Sequence, residues 1–156
     1  MRLERLMLRD FRNYERAEVV FSPQVNVLYG HNAQGKTNLL EAVYLLAIGR
    51  SFRTNNDREL ARHGTDAFKV SGDFIGAGGV KLFVEYSSTM EGKSVRSNGV
   101  PLRRATELFG QVYVVLFSPD DLQLLKGGPE HRRAYLDLYL AQTNPQYRHA
   151  LLSFHR

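Results

Sequence analysis

Cysteine is absent from the 156 residues of this sequence. The chain can therefore form no disulfide framework and no thiolate metal site, and a reducing compartment, by default the cytoplasm, is expected. Long hydrophobic runs are also absent, since no apolar stretch approaches the length of about 20 residues that crosses a bilayer. The first residues, MRLERLMLRDF, alternate charged and apolar side chains where a signal peptide needs an uninterrupted apolar centre. The sequence therefore predicts a protein with no membrane partner.

Internal repeats, low-complexity tracts and long linkers are missing as well. The composition, 43% hydrophobic and 24% charged, is typical of a folded globular protein and excludes a disordered chain. A length of 156 residues fits one domain or part of one. Lysine and arginine outnumber aspartate and glutamate 21 to 16, and the net charge of +5 suits either a polyanionic partner or an ordinary basic surface.

The stretch GHNAQGKT, residues 30–37, stands between two segments of different periodicity. Before it, VNVLY at 25–29 is β-branched and apolar, which predicts a strand covered on both faces. After it, apolar residues recur at helical spacing until Gly49. They are Leu39, Leu40, Val43, Leu46 and Ala47. The stretch is therefore predicted to be the loop between a buried strand and a helix.

The spacing of this loop, G-x-x-x-x-G-K-T, is the P-loop pattern, in which backbone N–H groups converge on a phosphate above a helix N-terminus. Lys36 is predicted to reach the β and γ phosphates of ATP, and Thr37 to offer its hydroxyl to Mg²⁺. The alternative is a chance match in a glycine-rich structural turn. The predicted ATP-binding residues here are Gly30, His31, Asn32, Ala33, Gln34, Gly35, Lys36, Thr37 and Asn38. Among them, His31 is interpreted as a bystander rather than a base.

Alternating apolar and polar residues predict strands on both sides of the P-loop, and those after it are predicted to form an antiparallel region. These strands are 2–8, 15–21, 67–74 and 80–87. The pair Asn98-Gly99 is typical of a tight hairpin. A second apolar run, VYVVLF at 112–117, predicts another buried strand.

Three prolines predict the helices of the remaining chain. Ser118-Pro119 opens a short helix that ends at Gly127, and Pro129 and Pro145 open two more. The predicted fold class is α/β, with a mixed sheet that includes an antiparallel region, followed by the start of a helical lobe. We expect an ATP-binding lobe at 1–118 and the beginning of a helical lobe at 119–156.

Three segments, in this order, resemble the N-terminal part of the RecF family of bacterial DNA replication and repair ATPases. They are LRDFRNY, GHNAQGKTNLLEAVYLLAIGRSFRT and VVLFSPDDLQLLKGGPEHRRAYLD. ABC transporters and chromosome-maintenance ATPases share only the GxNxxGK core, and Ala33 departs from the glycine usual in the latter. The resemblance spans nearly the whole chain.

The resemblance implies an ABC-ATPase-like P-loop head that binds ATP and Mg²⁺ and forms a homodimer around the nucleotide. It also implies ATP-dependent binding to DNA at single-stranded gaps or duplex junctions. RecO and RecR are the implied partners, in recombinase loading and the SOS response. Another ATPase of SMC or ABC type, or a nucleotide-gated DNA clamp with negligible turnover, is the alternative. A small-molecule kinase lacks support, because no arginine-rich lid segment is present.

Five arginines are candidate ligands of phosphate. Arg12 stands where related head domains place a basic residue beside the nucleotide, and a solvated arginine at a strand end is the alternative. Arg50 and Arg53 follow the P-loop helix and suit phosphates of ATP or DNA, or a solvated loop. Arg132 and Arg133 lie near a helix start, where positive charge opposes the helix dipole. DNA phosphate, or a salt bridge to the part of the family's sequence beyond this chain, explains them better than helix stability.

Hydrolysis in ABC-type heads needs a second acidic strand end and a signature loop, and neither is recognisable in this sequence. Asp120 and Asp121 follow an apolar run, but a helix starts there, so both acids are interpreted as a helix cap. The chain ends inside a predicted helix, as the first part of a longer protein would. His63 and His149 have no partners at metal-ligand spacing. We therefore assign no catalytic residue and expect nucleotide binding to survive better than turnover.

Overall fold

The computed structural model describes residues 1–154, apart from the side chains of Asp120, Gln123 and Leu152. Its strands are β1 (Arg2–Phe11), β2 (Tyr14–Val20), β3 (Phe68–Ile75), β4 (Lys81–Thr89), β5 (Gly92–Ser97) and β6 (Val100–Pro101). Its α-helices are α1 (Lys36–Ile48), α2 (Gln123–Lys126), α3 (Pro129–Thr143) and α4 (Pro145–Phe154). Short 3₁₀ turns cover Asp57–Leu60, Ala77–Gly79, Ala105–Leu108 and Pro119–Leu122.

The six strands form one antiparallel sheet in the order β2-β1-β3-β4-β5-β6. Its buried face shows the register most clearly, because Leu8, Val70, Tyr86 and Val95 pair in one row across four strands. All four side chains are buried. The antiparallel region of the predicted α/β fold is therefore confirmed, and so is the hairpin at Asn98-Gly99.

Helix α1 packs against the buried face of the sheet, where it contacts β3 and β4. A Cβ at Gly72 of β3 would lie 2.9 Å from Leu46 Cδ1, so this glycine permits the close approach of helix and sheet. The helix ends, as predicted, at Gly49 in left-handed backbone with φ 76°. Leu40, one of the apolar positions of the predicted pattern, is 49% exposed, whereas its neighbour Glu41 is fully buried.

Two segments that were predicted as buried strands form no strand in the described structure. Within residues 25–29, Val27 and Tyr29 are 76% and 90% exposed. Within residues 112–117, Phe117 is 83% exposed. A strand that is buried on both faces needs neighbouring strands and covering helices, and no part of residues 1–154 supplies them to either run. The prediction of buried strands is therefore wrong for the chain as described.

Side chains of α3 hold the segment 112–117 in place. The Gln142 amide donates to the Val114 carbonyl at 3.2 Å and accepts the Val114 N–H at 3.0 Å. The Tyr139 hydroxyl bonds in the same way with the Leu116 carbonyl at 3.1 Å and with its N–H at 3.2 Å. Two helix side chains thus satisfy backbone groups that a neighbouring strand would otherwise bind.

The helices predicted from Pro119, Pro129 and Pro145 are confirmed. Helices α3 and α4 pack against each other, and the Tyr147 hydroxyl of α4 donates to the Asp137 carboxylate of α3 at 2.5 Å. No helix within the described residues is both long and apolar enough to cross a membrane. The division into two lobes at residue 118 stays a prediction.

Candidate functional site

The loop before α1 has backbone geometry that depends on glycine. Gly30 and Gly35 have φ 142° and 97°, which glycine adopts far more readily than other residues. A Cβ on Gly35 would lie 2.6 Å from Asn13 Oδ1 and 2.7 Å from the Tyr14 hydroxyl oxygen, so a side chain there would have to displace the ends of these two side chains. Ala33 takes left-handed backbone, with φ 64°, without being glycine. The loop is therefore strained at one position and closely packed at another.

The N-terminus of α1 is open to an anion. The first helical hydrogen bond runs from the Leu39 N–H to the Gly35 carbonyl at 3.1 Å. No side chain caps the helix, and no acidic residue lies in its first turn. The N–H groups that precede Leu39, together with the positive end of the helix dipole, favour a bound phosphate or carboxylate.

Lys36 and Thr37 begin the helix and lie next to these N–H groups. The Lys36 ammonium donates to the carbonyls of Gly30 and His31, at 2.8 and 2.6 Å, and so closes the loop on itself. An ammonium has three N–H bonds, so one remains for a ligand. The Thr37 side chain is exposed and has no hydrogen-bond partner among the described residues. The hydroxyl is thus available to a metal ion.

Arg12 lies beside this loop, but its guanidinium binds protein groups. It donates to both oxygens of the Glu41 carboxylate, from Nη2 at 2.6 Å and from Nε at 2.9 Å. Nη1 donates to the Glu59 carbonyl at 2.7 Å. With its side chain only 17% exposed, Arg12 is not a solvated arginine. Its predicted contact with the nucleotide stays a prediction.

A chain of amide hydrogen bonds leads from the P-loop to Arg53. Asn13 Nδ2 donates to the Gln34 carbonyl at 3.3 Å, and Asn38 Nδ2 donates to Asn13 Oδ1 at 2.8 Å. Arg53 Nη1 then donates to Asn38 Oδ1 at 2.8 Å and lies 3.3 Å from Glu41 Oε2. The structure therefore brings Arg53, a predicted phosphate ligand, next to the P-loop helix.

An open cavity of about 640 Å³ is lined by residues next to the P-loop, though by none of residues 30–37 themselves. Its lining includes Asn13, Asn38 and Arg53, together with Arg58 and His63 from the segment that follows. Several positive side chains face the cavity, so it suits a ligand that carries negative charge. Burial raises the pKa of Tyr14, whose hydroxyl lies beside Gly35, and this tyrosine stays neutral near the site.

The other predicted DNA ligands lie on the helical side of the molecule. Arg50 and Arg133 line one cavity of about 500 Å³ between the end of α1 and α3. Burial raises the pKa of Tyr44, and the neighbouring Arg50 guanidinium opposes that rise. Arg132 instead donates to the carbonyls of Leu124 and Gly127, at 2.9 and 3.3 Å, which stabilises the end of α2. Arg132 therefore binds the end of a helix, whereas Arg133 lines a cavity.

Asp121 serves the helix start, as predicted. Its carboxylate accepts the Ser118 N–H at 2.5 Å, and its own N–H donates to the Ser118 carbonyl at 3.0 Å. These bonds satisfy backbone groups at the first turn. The side chain of Asp120 lies outside the described residues.

Glu41 is the site residue that the sequence reasoning missed. Its carboxylate is fully buried and bonds to two arginines and to the Ser51 hydroxyl, the latter at 2.5 Å. The available signal was one acidic residue within an otherwise apolar stretch of helix, because a buried charge requires a partner.

The model of the RecF/RecN/SMC N terminal domain family matches residues 2–113. The chain belongs to this family. It is 44% identical over 157 residues to the DNA replication and repair protein RecF of Halalkalibacterium halodurans, covering 100% of this chain and 42% of that protein. It is 46% identical over 155 residues to the protein of the same name from Ligilactobacillus salivarius, covering 99% of this chain and 40% of that protein.

Solved structures give the same result. A structure described as "Structure of the recombination mediator protein RecF-ATPrS in RecFOR pathway" matches with a TM-score of 0.92 at 36% identity. The match covers 99% of this chain and 42% of that one. A RecF-ATP structure of the same pathway matches with a TM-score of 0.91, also at 36% identity, over 98% of this chain and 41% of that one. The predicted resemblance to RecF and the predicted α/β P-loop fold class are confirmed, and the chain spans about two fifths of these relatives' length.

Proposed function

We propose that this chain is the ATP-binding N-terminal part of a DNA replication and repair protein of RecF type. The observation that carries the proposal is the loop at 30–37, where glycine backbone, an uncapped helix N-terminus and the Lys36 ammonium come together. Each of these features favours a phosphate group. The solved relatives, described as RecF-ATPrS and RecF-ATP, support ATP as the nucleotide.

In this proposal the phosphates lie over the N-terminus of α1 and the rest of the nucleotide extends into the cavity beside Asn13 and Asn38. The free N–H of Lys36 binds a phosphate oxygen, and the free hydroxyl of Thr37 binds Mg²⁺. No group of three or more histidine, aspartate or glutamate side chains in the described part of the chain could hold a metal. Phosphate oxygens and water therefore supply the other ligands of Mg²⁺.

Turnover is the weaker part of the proposed function. Hydrolysis needs a group that orients and activates the attacking water. Glu41 is bonded to two arginines, and Asp121 to the Ser118 backbone, so neither carboxylate is free for that role. A nucleotide-gated DNA clamp with negligible turnover is accordingly the second candidate function.

The partners of the whole protein belong to the same proposal. Both solved relatives are described as RecF in the RecFOR pathway, and this description supports RecO and RecR as partners. ATP-dependent binding to gapped or junction DNA, a homodimer around the nucleotide, a part in the SOS response and a cytoplasmic location all stay predictions. Arg50 and Arg133 are the arginines that we propose for DNA phosphates, and Arg53 is proposed for a phosphate of the nucleotide. Arg132 already binds carbonyls of the chain.

The proposal is tested by Lys36→Met, with Lys81→Met as the matched control. Lys36 is expected to bind phosphate directly, and loss of a charged hydrogen bond of about 1.5–3 kcal/mol should weaken Mg-ATP binding by about tenfold or more. Lys81 lies exposed on β4, so its replacement should leave the affinity unchanged. Isothermal titration calorimetry of the three proteins gives the affinities, and circular dichroism checks that each is folded.

Two results would overturn the proposed site. One is equal affinity for Mg-ATP in the parent chain and Lys36→Met. The other is an equal loss in Lys36→Met and Lys81→Met, which would indicate a general effect of positive charge.

A further inference from the structure

Glu41 combines complete burial with an excess of positive partners. Its carboxylate has no exposed surface, and the bidentate bond from Arg12 already neutralises it. Burying an ion pair of this kind is costly, but the geometry and the additional hydrogen bonds compensate for the lost water. A second arginine is therefore not needed to hold the charge.

That second arginine, Arg53, has a different exposure. Its side chain is 45% exposed and lines the cavity beside the P-loop. Its 3.3 Å contact with the buried Glu41 carboxylate is longer than either bond from Arg12, so it adds less to holding that charge. Stability of the fold therefore does not account for the precise placement of this guanidinium between Glu41 and Asn38.

Glu41 also fixes the backbone that carries Arg53. The Ser51 hydroxyl donates to Glu41 Oε1 at 2.5 Å. The same hydroxyl oxygen accepts the N–H groups of Arg53 and Thr54, at 2.8 and 3.2 Å. The loop after α1 is thus attached to one buried carboxylate through both its backbone and the arginine side chain.

We propose that Glu41 is a positioning residue, which holds Arg53 at the mouth of the P-loop so that its guanidinium binds phosphate oxygens of the nucleotide. The proposal rests on the proposed function, since it requires a nucleotide at residues 30–37. Arg53 keeps N–H groups for the ligand, because among the described residues its guanidinium bonds only through Nη1, to Asn38 and Glu41. Glu41 itself is too deeply buried to touch the nucleotide.

The test is a double-mutant cycle in Mg-ATP affinity, measured by calorimetry on the whole chain. Its members are the parent, Glu41→Gln, Arg53→Gln and the double variant. We expect about a tenfold loss of affinity in each single variant and no further loss in the double variant, because Glu41 acts through Arg53. Glu91→Gln is the matched control, since its exposed carboxylate lies in the turn between β4 and β5 and outside the cavity that Arg53 lines, and it should bind like the parent.

Three results would overturn the proposal. Unchanged affinity in Arg53→Gln would show that this arginine does not meet the nucleotide. A Glu41→Gln loss that persists in full in the Arg53→Gln background would show that Glu41 only supports the fold or acts through Arg12. A loss of the same size in Glu91→Gln would also overturn the proposal, because it would show a general effect of removing negative charge.

Two further measurements distinguish these results from misfolding of a variant and from failure of the parent chain to bind Mg-ATP. Melting curves accompany every variant, and if Glu41→Gln does not fold, Glu41→Asp replaces it in the cycle, because it keeps the charge but shortens the reach to Arg53. A Glu41→Asp loss that disappears in the Arg53→Gln background supports the proposal, and one that persists contradicts it. A parent chain that fails to bind Mg-ATP contradicts the proposed function first, and the proposal about Glu41 falls with it.

Discussion

At the scale of single residues, the P-loop shows what a motif reveals and what it hides. The spacing of Gly30, Gly35 and Lys36 predicts the loop and its chemistry, because the pattern is local in sequence. The neighbours that make Gly35 necessary, Asn13 and Tyr14, come from the β1–β2 turn and leave no local signal. The same holds for Glu41, which lies 29 residues from Arg12 in sequence. Sequence reasoning therefore finds the residues of the motif and misses those that hold them in place.

Gly35→Ala tests the close packing of this loop. A left-handed backbone costs a non-glycine residue about 1–2 kcal/mol, and φ 97° at Gly35 lies beyond the left-handed region that such residues adopt. Moving the ends of the Asn13 and Tyr14 side chains adds a smaller cost. Gly78→Ala is the control, because Gly78 has φ 69° but no atom within 4 Å of the added Cβ. Chemical denaturation should show the larger loss of stability for Gly35→Ala. Equal losses of stability in the two variants would mean that the side chains of Asn13 and Tyr14 move aside at no cost.

At the scale of elements, the local sequence pattern predicts well whether a segment is a strand or a helix, but it predicts poorly which elements that segment pairs with. The alternating strands of the sheet and the helices predicted from Pro119, Pro129 and Pro145 form where they are predicted. The apolar run at 112–117 has the composition of a strand, yet its backbone bonds go to Gln142 and Tyr139 of α3. Period and propensity describe a segment, whereas its hydrogen-bond partners depend on what the rest of the chain supplies.

Gln142→Glu tests the hold of α3 on this segment. A carboxylate accepts the Val114 N–H but cannot donate to the Val114 carbonyl, so two acceptors would face each other in a buried position. We expect a loss of about 1–3 kcal/mol in the free energy of unfolding at neutral pH. Gln146→Glu, on the exposed first turn of α4, should cost nothing, because a negative charge suits a helix N-terminus. If both variants unfold at the same denaturant concentration, the amide contacts contribute no stability.

At the scale of the whole molecule, the fold class was predictable from the sequence. The exposure of the apolar segments 25–29 and 112–117 was not. The chain spans about two fifths of the length of its RecF relatives. Its antiparallel sheet and α1 form a common core, in which Leu6, Leu45 and Val84 are fully buried. Val27, Tyr29 and Phe117 meanwhile stay exposed. The sequence indicates that these runs belong in an interior, but the described residues cover only part of each, such as Leu28 and Val112.

The proposed DNA binding also belongs to the scale of the whole molecule, and Arg133→Gln tests it. Contacts between arginine and DNA phosphate release counterions, so affinity should fall steeply with salt. Removing one contact should weaken binding and make the slope of log affinity against log salt shallower by about 1. Arg16→Gln, an exposed arginine beside Glu15 and Glu18, should leave the slope unchanged. Fluorescence anisotropy with a gapped duplex measures both, and an unchanged slope in Arg133→Gln would place the DNA surface elsewhere.

The most direct test of the central claim is a titration of the chain with Mg-ATP, followed by backbone amide NMR. We propose that the phosphates bind the N–H groups of the loop and of the first turn of α1. The amide signals of Gly35, Lys36 and Thr37 should therefore shift most, and should saturate together at one site. Signals on β4 and β5 should stay in place. Saturating Mg-ATP that leaves these three amides unmoved, while others shift, would contradict the account.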